Sequence, residues 1–152
     1  MKKEVRIKIM SKINNLTENG DSEVFFDGGD KVEVSTLGKL EVKDGVVYID
    51  YEECTEGLEG TRTQFFFDTE HPERVNLCRR GSVCFDLVFE DAKKSSNFTY
   101  QNDIMPLEAE LVTNKLLNGI GEEGGTLHLD YKVNFQGSGA QRTVFNMSVK
   151  PV

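Results

Sequence analysis

Apolar and polar residues alternate in short runs along most of this chain, and glycine-centred turns separate the runs. Val5, Ile7, Ile9 and Ile13 share one face of a first run over residues 3–13. Val32, Val34, Thr36, Leu40 and Val42 then alternate with Lys31, Glu33, Ser35, Lys39, Glu41 and Lys43. Leu127, Leu129, Tyr131, Val133 and Phe135 form the clearest run of this kind, and Phe145, Met147 and Val149 mark the last. A period of two sends successive side chains to opposite faces of a strand, so each run reads as a half-buried β-strand.

The turns carry their own chemistry. Asp44-Gly45 suits a type I′ hairpin, whose twist matches its flanking strands. Asn19-Gly20, Gly28-Gly29, Arg80-Gly81-Ser82, the glycines from 119 to 125 and the stretch 137–140 mark the other breaks. Gly38 interrupts an apolar face and predicts a bulge or a sharp bend. The spacing gives about eight to ten strands, as in sandwiches and barrels. Short links favour an up-and-down order, and closure removes exposed edges. The prediction is all-β: one antiparallel meander closed into a barrel, a single domain over residues 1–152.

Composition narrows the role of that barrel. With 26 acidic and 18 basic residues the net charge is −8, which repels phosphate backbones and anionic lipid. The basic residues near the start (Lys2, Lys3, Arg6, Lys8, Lys12) and the pair Arg79-Arg80 lack the interleaved aromatics of a stacking platform. Neither nucleic acid nor a membrane is expected as a partner. No run approaches the roughly 18 apolar residues of a membrane-spanning helix. The opening lysines lead into alternation and not into a continuous apolar stretch, so no secretory segment is read. Cys54, Cys78 and Cys84 are then free thiols in the cytoplasm, and the sequons at Asn15, Asn97 and Asn146 are accidental.

Arg79 draws most attention, because it falls in register with Val75 and Leu77 and so faces the apolar side. A buried guanidinium must be paired. It could anchor a carboxylate or phosphate inside a ligand cavity, pack over the barrel mouth, or pair with an internal glutamate. Tyr51 and Tyr131 also align with apolar neighbours and need hydroxyl partners, either in a ligand or in another strand. Thr61 and Thr63 share a face with Phe65 and Phe67, which gives one wall a polar and an apolar end. Such mixed lining suits a small-molecule cavity, and threonine is also simply a good strand former. Cys78 and Cys84 flank a tight turn on the outer face with no third ligand nearby, so no metal is expected. His71 and His128 lack a nucleophile or orienting carboxylate at motif spacing. No catalytic residue and no cofactor are nominated.

The ordered series of these residues resembles the YwiB-like family of small bacterial proteins, over roughly residues 32–149. The pieces that carry it are Val47-Tyr48-Ile49 leading into Tyr51-Glu52-Glu53, Thr61, Arg79 with Gly81, Tyr100, and the strand over residues 107–113. Residues 125–131 and 147–149 complete it. The resemblance implies a lipocalin-like (calycin-type) barrel and no assigned activity. It sets Arg79, Gly81, Tyr51 and Glu52 on family-like positions without giving them roles. The chain departs from the family at Met105-Pro106-Leu107-Glu108, where a Pro-Phe-Gly-like element is expected.

Three readings follow, in this order. The first is a binding module holding a small amphipathic or anionic ligand, with Arg79, Tyr51, Tyr131, Thr61, Thr63 and Glu52 as the candidate contacts. The second is an assembly module with a side-chain-filled barrel, for which a homodimer is an admissible partner. Ten phenylalanines and four tyrosines could fill an eight-stranded interior. The third is an enzyme using carboxylates and tyrosines at the barrel mouth.

Overall fold

The computed structural model describes residues 1–15, 30–53, 60–90, 95–101, 106–135 and 139–152. The expected turns at Asn19-Gly20 and Gly28-Gly29, together with Cys54 and Met105, lie outside the described residues. Ten strands run in chain order: β1 (Lys2–Asn15), β2 (Asp30–Lys43), β3 (Val46–Glu52), β4 (Arg62–Asp68) and β5 (Arg74–Arg80), then β6 (Phe85–Glu90), β7 (Ser95–Tyr100), β8 (Leu107–Asn118), β9 (Gly125–Phe135) and β10 (Gly139–Pro151). All belong to one antiparallel sheet, ordered β6-β5-β4-β3-β2-β1-β10-β9-β8-β7. The predicted meander is therefore present.

Its seam lies elsewhere than at the chain ends. β1 pairs with β10 along eleven residue positions, from Val5 opposite Pro151 to Asn15 opposite Gln141. The sheet instead ends at β6 and β7, which are consecutive in sequence. Among the described residues a single bridge joins them: Cys84 and Gln101 exchange both backbone hydrogen bonds, at 2.9 and 3.0 Å. The barrel is nearly closed, and the expected loss of every edge is not achieved. The cause is visible in β7. Ser96 lies opposite the buried Leu111 and so belongs to the inward phase, yet Ser95, Ser96 and Asn97 are all exposed. Three consecutive short polar side chains give that edge nothing to bury.

Alternation sets the core. Val5, Ile7, Ile9, Leu40, Val47, Ile49, Phe65, Phe67, Val75, Phe89, Leu127, Leu129, Met147 and Val149 all point inward and are buried. Asp44 and Gly45 take φ values of 52° and 79°, as the type I′ reading requires. In β8 the inward phase Ala109, Leu111, Thr113 passes to Leu116, because Asn114 is an extra residue between the pairs Thr113–Tyr131 and Lys115–Asp130. Its amide donates to Asp130 Oδ1 at 3.4 Å, and Arg142 binds both oxygens of that carboxylate at 2.9 and 2.6 Å. These contacts fix the bulge from outside.

Gly38 makes no bulge. β1 and β2 stay in register from one end to the other, with Val5 opposite Gly38. The missing side chain is required by close approach: a Cβ there would sit 2.4 Å from the Asp50 carbonyl oxygen and 2.6 Å from Ile7 Cδ1. The neighbouring strands thus leave no room for a side chain at this position. Gly38→Ala is expected to cost about 1–3 kcal/mol through overpacking, read as a lower urea midpoint with an unchanged slope.

Candidate functional site

Antiparallel order gathers the ends of β1, β3, β5, β7 and β9 with the starts of β2, β4, β6, β8 and β10 at one mouth of the barrel. The opposite end is packed with Val5, Leu40, Val47, Val75, Leu127 and Val149, each essentially without exposure. Toward the mouth the inward side chains leave a cavity of about 230 Å³. Ile9, Ile13, Phe65, Leu77, Phe89 and Leu129 supply much of its apolar wall; Tyr51, Glu53, Arg79 and Tyr131 supply its ionisable groups.

Strict alternation along β3 continues past its end and places Ile49, Tyr51 and Glu53 inside while Glu52 faces solvent. The side chain of Glu53 is only 7% exposed, and Arg79 Nη2 donates to its Oε1 at 3.0 Å. Thr63 binds the same oxygen with its hydroxyl at 2.7 Å and accepts from Arg79 Nε at 3.1 Å. β3, β4 and β5 are neighbours in the sheet, with Tyr51 opposite Thr63 and Thr63 opposite Arg79. Register alone therefore assembles the constellation. Of the five N–H groups of a guanidinium, Nε–H and one on Nη2 are engaged; the rest have no acceptor among the described residues. The central carbon of the guanidinium lies over the Phe85 ring, 5.2 Å from its centroid.

Burial, then the Glu53 carboxylate, push the Tyr51 phenol above the ordinary tyrosine range. Burial likewise raises Tyr131, against a hydrogen bond with Thr143 that lowers it. Both phenols keep their protons near neutrality; Tyr51 donates its own to the Glu53 carboxylate, whereas Tyr131 accepts from Thr143 and can donate to a guest. Phe89 packs against Tyr131 at 4.9 Å between ring centroids, and Phe65 stacks on Phe145 at 5.6 Å. A wall of half-buried aromatics, Phe85, Phe98, Tyr100 and Phe135, faces the seam near the same mouth.

The structure thus brings Arg79, Tyr51 and Tyr131 to one cavity and sets Thr63 behind the ion pair. Thr61 is elsewhere. Its hydroxyl meets Ser82 Oγ at 3.2 Å and accepts from the Ser82 amide at 3.3 Å, tying β4 to the β5–β6 turn. Gly81 permits this packing, since a Cβ there would lie 2.5 Å from Thr61 Oγ1. Glu52 faces solvent away from the cavity, and its neighbour Glu53 lines it. The residue missed was signalled by the phase of Ile49 and Tyr51.

A wider hollow, about 670 Å³, lies on the outer face of β2, β1, β10 and β9. Long coiled strands make a barrel waisted, and Lys8, Met10, Ser35, His128, Asn146 and Ser148 line that waist. His128 Nδ1 is already bonded to Asn146 Oδ1 at 2.7 Å. This hollow holds no buried polar group comparable to the Glu53–Arg79 pair, and the interior cavity is the stronger site. Among the described residues no cluster of three or more His, Cys, Asp or Glu could hold a metal ion, and no helix is long and apolar enough to cross a membrane.

Comparison with known proteins supports this architecture. The crystal structure of the ywiB protein from Bacillus subtilis is similar with a TM-score of 0.77 at 18% identity, covering 99% of this chain and 93% of that one. At that identity the likeness establishes the fold alone. No curated protein matches the chain. A domain of unknown function, DUF1934, matches residues 7–147. The chain belongs to the DUF1934 family.

Proposed function

We propose that this protein is a non-catalytic cytoplasmic module that holds a small amphipathic molecule in the mouth of its barrel. One observation carries the reading: Arg79 lines an otherwise largely apolar cavity with N–H groups that have no acceptor among the described residues. A few placed polar groups in an apolar hollow are the usual form of a small-molecule site. The head of the guest would accept from Arg79 and Tyr131, and its tail would lie along Phe65, Leu77 and Phe89. At about 30 Å³ for each water-sized group, the cavity admits about eight heavy atoms. That is below the usual 300–1,000 Å³ range, so a short chain fits and a whole lipid does not.

The test is a ligand-observed NMR screen of short-chain amides, alcohols and acids against the native protein and Ser11→Leu. Ser11 lines the cavity without touching the ion pair, so leucine there fills the space and leaves Glu53 and Arg79 paired. Binding by the native protein that Ser11→Leu abolishes, with the fold retained, is the expected result. The absence of any binder, or binding undiminished by Ser11→Leu, would overturn the reading in favour of an assembly module with a filled barrel.

A further inference from the structure

We propose that Glu53 makes this cavity select uncharged acceptor heads, such as amides, over anions of the same size. The inference rests on the cavity being a ligand site and names the class of guest it takes. The ionisable groups that line it are Tyr51 from β3, Glu53 beyond it, Arg79 from β5 and Tyr131 from β9. Arg79 and Glu53 cancel each other's charge at 3.0 Å, and the two phenols stay neutral. The cavity therefore presents the remaining N–H groups of Arg79 and the O–H of Tyr131 as donors, with no net positive charge.

A carbonyl oxygen can take those donors without adding a charge. A carboxylate would bring a second negative charge to the guanidinium already bound by Glu53, and would lose its own water in doing so. Like charges in one small site disfavour each other strongly. Glu53 is not placed to swing away, because Thr63 and Arg79 both hold its Oε1 and the side chain is nearly buried. The residue that holds Arg79 in place is thus also the element that works against the wrong guest.

Hexanamide and hexanoate differ in head charge and hardly in size, and both match the volume available. Protein-observed NMR titration at pH 7 gives their dissociation constants for the native protein and for Glu53→Gln, with circular dichroism as the check on folding. The native protein is expected to prefer hexanamide by about tenfold or more. In Glu53→Gln, the ratio of the two dissociation constants should move toward hexanoate by at least about tenfold, whatever the change in absolute affinity. Equal affinities, or a native preference for hexanoate, would overturn the selection and leave the cavity standing as a site. If neither compound binds the native protein, the site itself fails. The native ratio still decides should Glu53→Gln not fold.

Discussion

Replacing Arg79 with leucine is expected to lower folding stability by about 3 kcal/mol, since it strands a carboxylate that is nearly buried. The value belongs at the lower end of the 3–5 kcal/mol range for broken buried pairs, because Arg79 itself is 23% exposed. For a domain of this length it amounts to a fall in Tm of roughly 6–12 °C. The double variant Arg79→Leu with Glu53→Leu is expected to recover most of the loss, because both partners are then apolar. A single variant as stable as the native protein would mean that the pair is not formed in solution. If the double variant were no better than the single one, the loss would come from packing and not from the abandoned charge.

The second large effect is Phe89→Ala. Phe89 has no exposure, lines the cavity and packs on Tyr131. Truncating such a ring costs about 3–5 kcal/mol, as lost transfer energy plus the space left behind. Urea unfolding should show this as a markedly lower midpoint. The enlarged cavity should also shift preference from six-carbon amides to longer ones. A cost below about 1 kcal/mol would place Phe89 at the periphery, against the burial described.

Much of this was legible in the residues. Val5, Ile7 and Ile9 declared the first inward face, Asp44-Gly45 declared its hairpin, and the phase of Val75 and Leu77 turned Arg79 inward. Three features were not legible, each for a local reason. The bulge at Asn114 follows from a side-chain contact with Asp130, which no periodicity reports. The seam between β6 and β7 depends on a failure to pair, whereas hydrophobic pattern reports only which face is apolar. Thr61 shares the phase of Thr63 but lies just before β4, where its hydroxyl is taken by Ser82. The glutamate is instructive in another way. Glu52 occupies a family-like position and drew the choice, while alternation from Tyr51 already placed Glu53 inside.

The Glu53–Arg79 pair also clarifies the choice between the original readings. An internal glutamate is present, as one alternative for Arg79 required. That pairing leaves Arg79 N–H groups without an acceptor among the described residues, on the cavity wall, so structural pairing and ligand anchoring are compatible at one residue.

The central claim, an occupied mouth-end cavity, is tested most directly by native mass spectrometry of the protein purified gently from its own cells. The account predicts a reproducible extra mass of a small molecule that disappears on denaturation and is absent from Ser11→Leu. A bare protomer mass, or only whole multiples of it, would contradict the claim and direct attention to the outer surface.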